Sequence, residues 1–206
     1  MDVLNAEIIK ETTKEIADNP EMVQRLLWWL RHGQSCERWF QFEWAYRLES
    51  VLGKRFPSTY LVGCERDWVD IVVYQQTSKP ELALNQQKVY AGIELKWCGN
   101  WSASNSIAET EKDLRKTREN VKYSYPVLAL SIWLFATPSQ NNDPSYSWIA
   151  KQIKKEKINW ETLDPKLYSL KPDFRTDPFK IDCPKDFGKL EIFCVGFYNE
   201  KARSSS

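Results

Sequence analysis

The sequence predicts an α/β domain: a mixed β-sheet core flanked by helices, with further helices at the N-terminus. Three observations predict it. Residues 127–135 (VLALSIWLF) are an almost unbroken apolar run, the pattern of a strand covered on both faces. Two short β-rich segments, 68–74 (WVDIVVY) and 89–97 (VYAGIELKW), come before it. Helical periodicity fills residues 4–52 and returns over 107–122, between the second β segment and the apolar run.

Taken in order, residues 4–18 read as a first helix. Asn19-Pro20-Glu21 starts a second with a capping side chain, a proline at the first helical position and an acid in the first turn. It carries Met22, Val23, Leu26, Leu27 and Leu30 and stops at Gly33. Ser35 is placed to cap a third helix over 36–52, with Phe42, Ala45, Leu48 and Leu52 along one side and Gly53 at its end. Residues 60–63 suit a short strand, and the polar stretch 75–87 a connection. The helix over 107–122 repeats Ile107, Leu114 and Val121 at seven-residue intervals. A strand, a helix and a strand in that order predict a crossover between parallel neighbours. Residues 145–157 suit another helix. Residues 159–187, interrupted by Pro165, Pro172, Pro178 and Pro184, read as irregular, 190–198 (LEIFCVGFY) as a last strand, and 201–206 as a frayed tail. The organisation is one domain over 1–200: an N-terminal helical extension (1–35), a core (36–136) and a C-terminal part (137–200).

The bulk composition excludes several classes. Of 206 residues, 42% are apolar and 28% charged, which suits a folded chain with a real core. No apolar run reaches membrane-spanning length, and residues 1–14 lack the basic start and apolar middle of a signal peptide, so a cytoplasmic protein is expected. The five cysteines are scattered and contain no C-x-x-C pair, which predicts reduced thiols. The net charge of +1 means that any nucleic-acid face is a local patch. The single histidine, His32, excludes multi-histidine metal sites and suits a surface or helix-capping role. Metal chemistry would therefore use oxygen ligands, which favour Mg²⁺, with Mn²⁺ as a substitute. No glycine-rich phosphate loop is present, so no nucleotide cofactor is expected.

Strand alternation singles out a constellation. Glu94 and Lys96 share one face of the segment 89–97, while Ile93, Leu95 and Trp97 point the other way. Charges on an apolar strand are costly unless paired or metal-bound. If segment 68–74 pairs beside it, Asp70 joins Glu94. A divalent cation relieves the repulsion of two adjacent carboxylates, and the Leu95 carbonyl offers a further oxygen. Such an ion activates water and neutralises a phosphate, and a neighbouring ammonium orients that water or stabilises the transition state.

Asp70 in WVDIVVY and Glu94-Leu95-Lys96 in GIELKW resemble the motif of the PD-(D/E)xK nuclease superfamily, and the surrounding order of elements over 36–136 resembles it too. Val69 stands where that motif carries proline. The resemblance implies a restriction-endonuclease-like fold and a Mg²⁺-dependent DNA endonuclease of restriction, defence or repair type. It implies that Asp70 and Glu94 hold the metal with the Leu95 carbonyl, that Lys96 serves the water or the transition state, and that a glutamate of the third helix assists. Glu43 is preferred for that last role, with Glu49 the alternative. It also implies that Lys116, in the following helix, faces the scissile phosphate, and, by analogy with restriction enzymes, that the protein acts as a homodimer. Trp101, in a polar stretch after the E-x-K segment, is the aromatic best placed to stack on a base. Lys54-Arg55 and the lysines of 151–157 are further candidates for phosphate contact. The rival reading is a non-catalytic α/β binding module in which Glu94 and Lys96 form a structural pair.

Overall fold

The computed structural model describes residues 3–32, 37–66, 69–76, 87–119, 123–139, 144–185 and 187–199. Of the expectations above, Gly33 as a stop, the Ser35 cap, Trp68, Val121, most of the connection at 75–87 and the tail lie outside these residues.

Three helices come first: α1 (Ala6–Ala17), α2 (Pro20–His32) and α3 (Glu37–Arg55). The side chain of Asn19 accepts the backbone N–H of Met22 at 3.0 Å, which is the cap that the Asn-Pro-Glu start predicts. Strands β1 (Tyr60–Arg66), β2 (Val69–Gln75) and β3 (Lys88–Gly99) follow, then α4 (Ala103–Glu119) and β4 (Val127–Pro138). Helices α5 (Ser147–Glu156) and α6 (Trp160–Ser169), the short β5 (Phe174–Arg175) and β6 (Phe179–Ile181), and the long β7 (Gly188–Tyr198) complete the described chain.

The strands make one mixed sheet in the order β1-β2-β3-β4-β7-β5, with β6 also paired to β7. Strands β1, β2 and β3 are antiparallel neighbours, β3 and β4 are parallel, and β4 and β7 are antiparallel. The α4 crossover therefore links parallel strands, as the sequence predicts. Every residue of β4 from Val127 to Ala136 is buried, because helices cover both faces of this central strand. One face packs against α1, α2 and α3 through Ile71, Val73, Ile93, Leu130 and Ile132. The other packs against α4 and α6 through Cys98, Ala129, Trp133, Phe193 and Val195.

The terminal parts are integral to this core. Strand β7, from the C-terminal part, pairs along β4 from Leu128↔Tyr198 to Pro138↔Gly188. In α1, the Thr13 hydroxyl lies 3.1 Å from the Cys194 sulfur of β7. Among the described residues Cys64, Cys98, Cys183 and Cys194 are not joined in disulfides, and no helix is long and apolar enough to cross a membrane. His32 is exposed, with Nδ1 2.7 Å from the Trp28 carbonyl in the last turn of α2.

Two regions differ from the sequence reading: α3, and residues 159–187, which hold α6, β5 and β6 where irregular chain was expected. Helix α3 is rotated about its axis relative to the stripe expected: Phe40, Gln41, Trp44, Ala45, Leu48, Val51 and Leu52 are buried, whereas Phe42 is 52% exposed. The helix carries aromatics on all sides, so periodicity alone does not identify its inner face. Within 159–187, read as irregular for its prolines, residues 160–169 form α6 despite Pro165. An Asn159–Thr162 capping box starts that helix, and burial of Leu163 and Leu167 offsets the bond Pro165 forgoes.

Candidate active site

The site begins where β2 and β3 part. Their pairing runs from Gln75↔Lys88 to Ile71↔Ile93, and the next step of that register sets Asp70 opposite Glu94, on the same face. The strands do not close there. The backbone N–H of Leu95 donates instead to Asp70 Oδ2 at 2.7 Å. The N–H and C=O of one strand residue leave the strand on the same edge. The Leu95 carbonyl is thus directed to the edge that Asp70 occupies.

Glu94 is held from α4 and from the segment after it. Tyr123 Oη donates to Glu94 Oε1 at 2.7 Å, and Lys116 Nζ lies 3.6 Å from the same oxygen. Lys96 Nζ lies 3.9 Å from Glu109 Oε2. Glu109, Asp113 and Lys116 are spaced i, i+4, i+7, so one face of α4 covers the E-x-K strand. Beside Lys96 in β4 stands Ser131, the only polar residue in the apolar run; its hydroxyl donates to Thr110 Oγ1 at 3.1 Å and ties α4 to the sheet.

Burial pushes the Asp70 carboxyl above the usual carboxylate range; the Leu95 N–H works against that shift, Glu37 adds to it, Lys116 opposes it, and Asp113 adds to it. Burial likewise raises Glu94; the Tyr123 hydroxyl and Lys116 oppose the shift, while Asp70 and Asp113 reinforce it. The Asp70 charge thus raises the cost of ionising Glu94. A carboxyl whose folded-state pKa is raised contributes its stability fully below the unfolded pKa, and that stability is lost as pH rises through the folded value. The ionised pair therefore weakens the fold from about pH 4 upward through the raised values, the unfolded reference lying near 4. A cation that binds only the folded, ionised pair reverses the loss; at a hundred times its Kd a ligand adds about 2.7 kcal/mol. Millimolar Mg²⁺ is expected to raise the thermal midpoint at pH 8 and to leave it unchanged at pH 4. In Glu94→Gln the pH 8 increment should vanish, and scanning calorimetry with and without EDTA checks both.

The donor set suits such an ion. Asp70 Oδ2 and Glu94 Oε1 are engaged, whereas Asp70 Oδ1 and Glu94 Oε2 have no partner among the described residues. Two single carboxylate oxygens and one carbonyl, with water for the rest, match the oxygen-rich shell that Mg²⁺ takes. Among the described residues no group of three or more His, Cys, Asp and Glu side chains gathers as metal ligands.

The structure does not bring every expected residue to this place. Glu43 is on the far side of α3, 3.1 Å from Arg25 of α2, in a cleft of about 400 Å³ lined also by Trp39, Phe42 and Tyr46. Glu49 Oε1 accepts the backbone N–H of Val62 in β1 at 3.1 Å. Rotation of α3 explains the first. Two residues advance a helix by about 200°, so a helix that turns Gln41 inward turns Glu43 outward. The acid of α3 that Asp70 senses is Glu37, four residues before Gln41 on the inward stripe, and the Gln41 amide donates to the Asp70 carbonyl at 2.5 Å. An acid and an amide in line with buried Trp44 and Leu48 were the available signal for Glu37.

Trp101 packs rather than projects. It lies edge-on to Trp148 with ring centroids 6.3 Å apart, and a Cβ on Gly99 would meet its ring at 2.4 Å, so only glycine lets the indole lie there. Lys54 pairs with Glu15, and Arg55 with Glu7 and Glu11, so both side chains bind α3 to α1. Lys116 does reach the site. Asp113 and Tyr123 were not singled out as site residues from the sequence, because only the packing of α4 and its following segment places them there.

Comparison with protein-family models, with curated proteins and with solved structures finds no significant match to this chain.

Proposed function

We propose that this protein is a Mg²⁺-dependent nuclease of the PD-(D/E)xK type that hydrolyses phosphodiester bonds of DNA. The observation that carries the reading is the junction of β2 and β3. There, two half-buried carboxylates each keep one oxygen engaged and one open, with Lys96 two residues further along the same strand face. Asp70 Oδ1, Glu94 Oε2 and the Leu95 carbonyl are the oxygens that would hold the ion. When bound, Mg²⁺ supplies a more acidic water and neutralises charge on the phosphate. Lys96, two residues along the strand on the face of Glu94, is the ammonium that would orient the attacking water and stabilise the added negative charge of the transition state. Lys116, 54% exposed beyond Glu94, is available to the phosphate of the incoming strand.

The test is a panel of closed-circular DNA, linear duplex, single-stranded DNA and RNA incubated with purified protein, Mg²⁺ or Mn²⁺. The expected result is cleavage of DNA that EDTA stops. DNA that stays intact with both metals, under conditions where the protein is folded, would overturn the proposal, and cleavage confined to RNA would overturn its substrate.

A further inference from the structure

We infer that Tyr123 is a positioning residue that decides which oxygen of Glu94 a divalent cation meets, and thereby favours Mg²⁺ over Ca²⁺; the inference rests on the nuclease reading above. The last torsion of a glutamate is broad and roughly two-fold, so an unrestrained carboxylate offers either oxygen, or both. Here it is restrained. Tyr123 Oη donates to Oε1 at 2.7 Å, and Lys116 Nζ approaches the same atom at 3.6 Å. Both donors crowd one oxygen, and Oε2 is the one left open.

Tyr123 is able to enforce this because its own ring is fixed. It is 5% exposed and packs in a cluster with Val69, Val72, Tyr74, Tyr125 and Val127, its ring centroid 6.1 Å from that of Tyr125. These residues come from β2, β4 and the segment that leads into β4, so the hydroxyl is anchored to the sheet. Across the junction the Leu95 N–H does the same for Asp70, taking Oδ2. Both carboxylates are thereby limited to single-oxygen ligation. Mg²⁺ demands near-octahedral geometry at short range, whereas Ca²⁺ takes six to eight oxygens and readily accepts a carboxylate through both. A glutamate with one oxygen already engaged suits the first ion and disfavours the second. The outer-shell partner of a metal ligand commonly changes affinity by about 10–100-fold when removed.

The experiment titrates full-length protein with Mg²⁺ and with Ca²⁺ by calorimetry, and follows DNA cleavage against Mg²⁺ concentration. Tyr123→Phe keeps the ring in its cluster and removes the donor. Its half-saturating Mg²⁺ is expected to rise by about tenfold or more, with kcat at saturating Mg²⁺ close to the parent's and Ca²⁺ affinity equal or higher. Tyr125→Phe, which removes a hydroxyl from the adjacent ring, should titrate like the parent and so reports what altered packing alone would do. Unchanged Mg²⁺ affinity in Tyr123→Phe, an equal loss for both ions, or a fall in kcat with the Mg²⁺ requirement unaltered would overturn the inference while leaving the nuclease reading standing. Should the parent bind no Mg²⁺ in a manner that Glu94→Gln abolishes, both fail together.

Discussion

Replacing Lys96 by alanine is expected to lower metal-dependent DNA cleavage by about 10²–10³-fold, the usual loss when one group that stabilises developing charge is removed. The effect should fall on kcat, because Lys96 is not among the proposed ligands. Its side chain is only 26% exposed, and its ammonium lies 3.9 Å from Glu109 of α4. On the proposed reading, removing it takes out a transition-state interaction without emptying a packed core. The fold and the Mg²⁺ titration should both stay close to the parent's, and single-turnover cleavage at saturating Mg²⁺ separates the step from binding. Lys96→Arg should recover little, since a planar guanidinium does not place its charge where the ammonium was. A Lys96→Ala protein that cleaves at the parent's rate would remove Lys96 from the mechanism.

The largest effect on stability is expected at Trp133. This residue is fully buried in β4, lies nearly parallel to Phe193 with ring centroids 6.2 Å apart, and stands beside Cys98 in the register with β3. It fills the layer under α4 and α6 together with Leu114, Leu163 and Leu167. Trp133→Ala should cost about 3–5 kcal/mol, the range for deleting a large buried aromatic. In a domain of this size each kcal/mol moves the thermal midpoint by about 2–4 °C. Trp133→Phe should cost less. It keeps a ring and discards an indole N–H that is buried with no hydrogen-bond partner among the described residues. Denaturant unfolding of the three proteins checks the order. An alanine variant within 1 kcal/mol of the parent would mean that the layer between β4 and α6 is loose. Because α4 carries Glu109, Asp113 and Lys116, loosening that layer should also disturb the site.

The parts of this protein that local pattern controls are legible in the sequence alone. The run 127–135 had to be a strand covered on both faces, and the Asn19-Pro20-Glu21 start had to open a helix. Alternation along 89–97 put Glu94 and Lys96 together without any tertiary information. Pairing was a different matter. That Asp70 reaches Glu94 depends on strand register, and that it binds the Leu95 N–H depends on the strands parting just there. Neither is written in the spacing between the two segments. The inner face of α3 was misread because Phe42 and Tyr46 are as apolar as Phe40 and Trp44, so a helix aromatic on every side hides it. Gln41, a polar residue on the buried stripe, was the better guide, and it points to Glu37. Helix α6 was missed because Pro165 is an unfavourable interior residue that the Asn159–Thr162 cap and the burial of Leu163 and Leu167 together outweigh. Tyr123 could not be foreseen, since a residue in a connecting segment acquires its role only from what the fold sets beside it.

The Asp70–Glu94 junction carries the whole account, and nicking of closed-circular DNA tests it most directly. Parent protein and Asp70→Asn, which keeps an oxygen for the Leu95 N–H and removes the charge, are assayed in Mg²⁺ with EDTA as the control. The account predicts EDTA-sensitive nicking by the parent and none above background by Asp70→Asn, with both proteins folded. Equal nicking by the two, or nicking by the parent that survives EDTA, would contradict it.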